Sequence, residues 1–307
     1  MYDFNEHSCY SLILRLFKKK SNHIDLACIL TKNCMTHPYC YSDELRGMLD
    51  KKYGQNIWEN NSFRRIPLLQ ATLADDTEIE ITFNNITGLL NSEYVRTLAE
   101  IDSRFHKLGY FIKHFVSSRQ IFDSDTKKLN SFSLICMLIV FLQDKCSPPV
   151  LPRIINMGSS VEGKELISPS YITVGDGSQN PNNYDYKVLE SSLDFNFEYD
   201  HEEIQSFMKL EVNQDSVSEL FKKFVHFYFG GGGFDPIHDV VNTREGKIQK
   251  IRSLGSTLDK RIKKKLDEAC IAVLDPFDMS YCPSSNFELY SWTRKKSMIK
   301  KMVQFIR

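Results

Sequence analysis

Three kinds of residue in this 307-residue chain could do chemistry: carboxylates on short apolar runs, soft-metal ligand types close together, and lysine-rich stretches. Ile24–Leu30 (IDLACIL) is short and mostly apolar, which suits a buried strand, and it carries Asp25 near its start. Glu78–Phe83 (EIEITF) alternates polar with apolar residues. Glu78, Glu80 and Thr82 therefore share one face of a strand, while Ile79, Ile81 and Phe83 share the other. Cys34, His37 and Cys40 (CMTHPYC) are zinc-ligand types, but no fourth ligand stands at a zinc-finger spacing, so a zinc site is not expected. Gly230–Gly233 precedes no strand–helix phosphate motif and reads as a flexible break. Residues 244–265 hold nine basic and two acidic residues, a local net of +7, and Trp292–Arg307 adds six basic residues and no acidic one. Most basic runs are solvated helix faces. These two flank an aromatic-rich segment, a pattern that also fits contact with an RNA backbone. The opposite charge gathers in 175–217, with ten acidic and two basic residues, a net of −8.

The elements that must position these residues change in character along the chain. Ser8–Phe17 has apolar residues at helical spacing, Ser42–Tyr53 opens with the helix-start run Ser-Asp-Glu, and Ile66–Leu69 reads as a strand. From Glu93 the period lengthens: Tyr94, Leu98, Ile101, Phe105, Leu108, Ile112 and Phe115 predict one amphipathic helix of several turns. Leu129–Gln143 is apolar nearly all round and should be a central helix, ended by Pro148, Pro149 and Pro152. Residues 158–200 are rich in Ser, Gly, Asn and Asp and read as a long excursion. Helical patterns return at Ser216–Phe229, Thr257–Ala272 and Ser291–Ile306. No internal repeat is present. The reading is a small α/β unit followed by a larger, mainly helical one, with a boundary near residue 90.

Composition narrows the class. Hydrophobic residues make up 42% and charged residues 25%, which argues against disorder and fibrous folds for the chain as a whole. Lys plus Arg and Asp plus Glu each number 39, so the net charge is 39 − 39 = 0 and only local patches can argue for nucleic acid. The longest apolar run, Leu134–Leu142, is far short of the ~20 residues that span a bilayer, so no membrane partner is expected. Asp3 and Glu6 precede any apolar stretch, which argues against a secretory signal. Eight cysteines then read as reduced thiols in an intracellular protein. Cytoplasm, nucleus and mitochondria all remain open.

Four segments, in order, resemble the poly(A)/poly(U) polymerases of the DNA polymerase β superfamily, the RNA 3′-terminal nucleotidyltransferases. EIEITFNNITGLLNS (78–92) is similar to the family's strand with the third catalytic carboxylate, followed by an Asn-Thr/Ser pair. FIKHFVSSRQI (111–121) resembles its Ile-Lys-x-Trp-Ala-Lys helix, and LNSFSLICMLIVFLQ…PPVLP (129–152) its Leu-x-Ser-Tyr…Pro-Pro-Val-Leu-Pro signature. ELFKKFVHFYF…FDPIHDVVNTREGK (219–247) with AVLDPFD (272–278) resembles the poly(A)-polymerase-associated domain.

The resemblance implies an α+β fold. A polymerase-β-like nucleotidyltransferase palm, N-terminally shortened, would occupy residues 1–90. A mainly helical central domain would fill 91–307, with the associated region at about 216–285 and a basic C-terminal helix; the nucleotide cleft would lie between the two. It implies two metal ions, magnesium or manganese, held by three carboxylates that activate an RNA 3′-hydroxyl. Here Asp25 matches the second carboxylate, Glu80 stands at the third, and His23 stands at the first. Asp25 and Glu80 are thus the catalytic and metal-ligand candidates. No glycine precedes Gly47, so the Gly-Ser turn that cradles phosphates is absent in recognisable form. On the nucleotide side Asn91, Ser92, Lys113, Ser131, Phe132 and Tyr281 match family positions, while Ser117 replaces a second lysine. Phe132 keeps an aromatic face for stacking. Lys260, Arg261, Lys263, Lys264 and Lys265 are the RNA-contact candidates.

Three functions follow as expectations. The first is a family protein with impaired or lost catalysis, binding RNA and ribonucleotide (ATP or UTP) as an accessory subunit with a protein partner in RNA 3′-end processing, and needing no cofactor. The second is an active poly(A) or poly(U) polymerase, using magnesium or manganese, whose N-terminal motif is incompletely represented. The third is a protein scaffold that binds no nucleotide.

Overall fold

A computed structural model of the chain describes residues 9–14, 23–30, 38–53, 58–60, 68–72, 77–83, 85–118, 123–124, 127–157, 204, 206, 212–258, 260–278 and 281–286. The excursion at 158–200, the basic tail from Trp292, and Cys34 and His37 lie outside these residues.

The first unit is built on a five-stranded sheet of β1 (Cys9–Leu14), β2 (His23–Leu30), β3 (Trp58–Asn60), β4 (Leu68–Thr72) and β5 (Glu78–Phe83), in the order β1-β2-β5-β4-β3. β2 and β5 run parallel at its centre, and β4 lies antiparallel to β5. The alternation in EIEITF does what period 2 requires. Ile81 joins Leu69 and Ala71 in an apolar cluster, with Leu26 and Ile79 beside it and Leu45 and Leu49 of α1 (Pro38–Tyr53) packed on it. Glu78, Glu80 and Thr82 are left for the opposite face. α1 starts at Pro38, where proline suits a first helical position, earlier than the Ser-Asp-Glu signal. The run 8–17 is corrected from helix to strand: Cys9–Leu14 pairs antiparallel with β2, because a short apolar run suits either element and strand pairing decides it.

The expected single helix from Glu93 is two, α2 (Ile86–Ile101) and α3 (Ser103–Ser118). Asp102 breaks it: its carboxylate accepts from the Arg104 N–H at 2.8 Å and its carbonyl from the Phe105 N–H at 3.0 Å, which starts a new helix. The division between the two compact units falls in α2, between Arg96 and Thr97.

In the second unit α4 (Ser131–Val140) is buried along nearly its whole length, capped by Asn130, and continues as a π-helical turn over Phe141–Lys145. α6 (Val217–Phe229), which follows the short α5 (Ile154–Met157), starts at a capping box of Ser216 and Glu219. It packs on α4 through the Tyr228 hydroxyl, which donates to the Met137 carbonyl at 2.9 Å, and through Phe224 set edge-on to Phe141. Burial pushes the Tyr228 phenol well up. Arg104 ties α3 to the start of α6, donating to the carbonyls of Asn213 and Asp215 at 2.8 Å each. A three-stranded sheet that the helical pattern did not suggest completes the unit, with β8 (Asp239–Asn242), β9 (Lys247–Lys250) and β10 (Ala272–Leu274) in the order β10-β8-β9. α7 is Lys260–Glu268 rather than Thr257–Ala272, because Ala272–Leu274 leaves the helix to pair with β8. The remaining strands, β6 (Asp123–Ser124) and β7 (Lys127–Lys128), form a short hairpin.

Candidate functional site

Strand register brings the palm candidates into two rows. Asp25 on β2 stands across from Glu80 on β5, and Glu80 stands across from Gln70 on β4. The next row pairs His23 with Glu78, and Glu78 with Thr72. So the two residues singled out from the sequence are register partners across parallel strands, and His23 stands one row away. Glu80 is half-buried, and its Oε1 accepts from the Gln70 Nε2 at 2.9 Å. Thr82, two residues on, donates its hydroxyl to the Leu26 carbonyl across the same strand pair.

Gln70 was not anticipated. The LLQAT alternation places it on the polar face, but only the β4–β5 register shows that its amide reaches Glu80. That hydrogen bond occupies one of the acceptor sites of Glu80.

Asn85 caps α2, accepting from the Gly88 N–H at 2.9 Å. On that helix Asn91 and Ser92 are both buried, and the Ser92 hydroxyl donates to the Gly88 carbonyl at 2.8 Å. An i→i−4 bond of this kind turns the hydroxyl onto its own helix.

In the helical unit the candidates lie on α3, at the start of α4 and on the segment after β10. Lys113 is exposed on α3, which packs against α4. Ser131 is exposed at the first position of α4 and Phe132 is half-buried beside it. Asn130 does two jobs at this helix start. Its Oδ1 accepts from the Ser133 N–H at 2.7 Å, and its Nδ2 donates to the Pro283 carbonyl at 2.6 Å. The second bond ties the segment carrying Tyr281 to the α4 N-terminus. Upstream, the buried Asp275 carboxylate accepts from the N–H groups of Phe277 and Asp278, each at 2.9 Å, which turns the chain sharply before Tyr281. The Tyr281 N–H then donates to the Asp278 carbonyl at 2.9 Å. The structure therefore brings Ser131, Phe132 and Tyr281 to one end of α4. That end has the partial positive charge of a helix N-terminus and the exposed Ser131.

Lys260, Arg261, Lys263, Lys264 and Lys265 all lie on α7, anchored by the buried Ile262 and Leu266 against Val240, Ala272, Leu274 and Cys282. Lys264 lies 3.8 Å from Glu268 one turn on.

A five-stranded mixed sheet in one unit and a mainly helical second unit match the nucleotidyltransferase fold of solved RNA 3′-end polymerases. Solved structures of Cid1 poly(U) polymerase show that fold: one with MgGTP bound matches with a TM-score of 0.66 at 17% identity, covering 97% of this chain and 81% of that one. The structure of a cytoplasmic RNA terminal U-transferase matches with a TM-score of 0.63, covering 97% and 80%.

In sequence the chain is similar to poly(A) RNA polymerases and terminal uridylyltransferases, as its four segments indicated. The Poly(A) RNA polymerase gld-2 homolog A of Drosophila melanogaster is 25% identical over 236 residues, which are 76% of this chain and 15% of that protein. Terminal uridylyltransferase 4 of Homo sapiens is 28% identical over 204 residues, 66% and 10% respectively. The Poly(A) RNA polymerase cid11 of Schizosaccharomyces pombe is 23% identical over 186 residues, 60% and 31%. The chain thus spans between a tenth and a third of the length of these relatives. No family model matches it.

The metal that the resemblance implies is tested by the donors present. Magnesium requires near-octahedral oxygen ligands. Here the first position is an imidazole, and the third is a glutamate that accepts a hydrogen bond from the Gln70 amide. Among the described residues no group of three His, Cys, Asp or Glu could hold a metal ion. The described residues thus do not supply the donor set of a two-metal centre. No helix among the described residues is long and apolar enough to cross a membrane.

Proposed function

We propose that the chain is an RNA 3′-terminal nucleotidyltransferase-family protein with impaired or lost nucleotide addition, which acts as an RNA- and nucleotide-binding accessory subunit in RNA 3′-end processing. The observation that carries this reading is the Asp25–Glu80–Gln70 row. A family enzyme needs that row to present carboxylate oxygens to metal, and here its central carboxylate faces an amide donor while His23 replaces the first acid. The solved Cid1 structures include complexes with the UTP analogue UMPNPP and the product ApU, which supports a ribonucleotide and an RNA 3′ end as the ligand classes.

The helical unit keeps the groups that such ligands need. Phe132 offers a π-face to a base, and Tyr281 lies on the segment tethered to the same helix start. Ser131 and the α4 N-terminus suit a phosphate. Lys113 supplies one charge where the family has two, because Ser117 replaces the second lysine. Stacking on Phe132 contributes ~1–3 kcal/mol, less than the roughly 4 kcal/mol of a millimolar complex. Lys113 and Ser131 must supply the remainder through charge-assisted hydrogen bonds.

Calorimetry with ATP and UTP tests the reading. The wild type should bind a ribonucleotide weakly, without added metal, and the Phe132→Ala/Lys113→Ala variant should lose the heat of binding. An absence of heat in the wild type, or equal heat in the variant, would remove the nucleotide and favour a scaffold that binds none.

A further inference from the structure

Helix α3 carries a surface that the nucleotide site does not use in full. Its sixteen residues include Arg104, His106, Lys107, Lys113 and His114 and no Asp or Glu. Phe111 is 47% exposed, one of three large hydrophobic side chains so exposed among the described residues. It does not hang loose. Phe221 of α6 holds it edge-to-face at 4.7 Å between ring centroids, and Phe115 packs its own edge against Phe221 at 5.4 Å. Tyr110 and His114 form a second ring pair on the same helix, 8° from parallel with centroids 6.5 Å apart.

The helical period of roughly 100° per residue orders these groups around the helix. The solvent-facing arc runs from Lys113 and His106, through Tyr110 and His114, to Lys107 and Phe111. On the neighbouring α6 the exposed Lys222 adds another cation. Lys107 and Lys222 make no ion pair among the described residues. The buried side of α3, with Phe105, Leu108 and Ile112, faces the core.

We infer that this arc of α3 is a stacking track for single-stranded RNA, with Phe111 as a base platform and Lys107 and Lys222 as phosphate-binding cations. The inference deepens the RNA-binding part of the proposed function and rests on it. A stable protein interface buries roughly 800 Å² per side and centres on an apolar core depleted of charge. The arc offers one exposed hydrophobic ring, held rigid from behind and interleaved with cations. Positive charge that follows a backbone, with aromatic faces for successive bases, is how single strands are bound without sequence preference. Lys113 closes one end of the arc, so the track leads away from the residue placed at the nucleotide phosphates.

The test uses the full chain with labelled oligo(A) and oligo(U), read by fluorescence anisotropy across salt concentrations. Phe111→Ala should weaken both RNAs from about 5-fold to about 150-fold, the worth of one stacked base. Phe111→Trp should retain the affinity, and its added emission should be quenched by RNA. Lys107→Gln should lower the salt slope by about 0.7, the value of one neutralised phosphate on a single strand. Wild-type binding that Phe111→Ala leaves unchanged, with no quenching in Phe111→Trp, overturns the track while leaving RNA binding to α7 intact. If the wild type binds no RNA, the RNA part of the proposed function fails with it. An acidic peptide whose binding depends on Phe111 while RNA binding does not would overturn the RNA assignment in favour of a protein partner.

Discussion

In the five-stranded sheet, the groups at the family's chemical positions are Asp25, Glu80 and His23, and the Gln70 amide is hydrogen-bonded to the central carboxylate. In the helical unit, the groups that the resemblance matches are Lys113 on α3 and Ser131, Phe132 and Tyr281 at or tied to the capped start of α4. The comparison separates two demands that one protein family makes at once. Metal-assisted transfer needs several oxygen donors held in a strict geometry, and an imidazole is a poor substitute for one of them. Nucleotide binding is graded, because stacking, one cation and one hydroxyl each contribute independently. A sequence can therefore lose the first function and keep a weakened form of the second.

That difference is open to test from both sides. The largest effect should come from α7. Replacing Lys260, Arg261, Lys263, Lys264 and Lys265 with Gln should weaken RNA binding about equally for every sequence. The slope of log affinity against log salt should fall by roughly 0.7 for each phosphate no longer neutralised. An unchanged slope would mean that these side chains only solvate the helix face above Ile262 and Leu266. A smaller and contrasting result is expected in the sheet. Asp25→Asn and Glu80→Gln should leave ribonucleotide affinity within about twofold, the range of a substitution with no specific role. A large loss of metal-dependent nucleotide affinity in Glu80→Gln would restore the sheet as a metal centre.

The smallest effect concerns pH. Lys223 donates to Asp215 at 2.6 Å and, with Asn213 and Arg104, holds that carboxyl below the usual aspartate range. A lowered folded-state value stabilises the fold above the ordinary aspartate pKa of about 3.9, and the contribution is lost as pH falls through the folded value. Because the pair is largely solvent-exposed, its worth is about 1 kcal/mol or less. Asp215→Asn should remove this increment at neutral pH and flatten the acid limb of a denaturation series below pH ~4. An unaltered limb would assign acid sensitivity elsewhere.

Particular residues show what the sequence made legible. Glu78–Phe83 was readable to the residue, because one buried face imposes a period of two, with Ile81 in the cluster under α1. The helical pattern at Ser216–Phe229 likewise matches α6, whose start the structure shows capped by Ser216 and Glu219. Cys9–Leu14 was not readable, because a six-residue apolar run carries no decisive period and its pairing with β2 is a tertiary event. The break at Asp102 was hidden in a continuous apolar stripe and shows itself only through the carboxylate's bond to the Arg104 N–H. Within the candidate site, residue types could be matched along the chain. The Gln70–Glu80 hydrogen bond could not, since it depends on register between strands ten residues apart. Nor could the tether from Asn130 to Pro283, which spans 153 residues.

We propose that the sheet does not support metal-assisted nucleotide transfer. The most direct test is extension of a labelled oligo(A) primer by the purified chain with magnesium or manganese and each of the four ribonucleoside triphosphates in turn. The expected result is no more than trace addition, since each ~1.4 kcal/mol of lost transition-state stabilisation costs tenfold in rate. The His23→Asp/Glu80→Asp variant should recover little, because the glycine turn that would cradle the phosphates is not restored. Robust extension by the wild-type chain with any one nucleotide would contradict the account and make this protein a working polymerase.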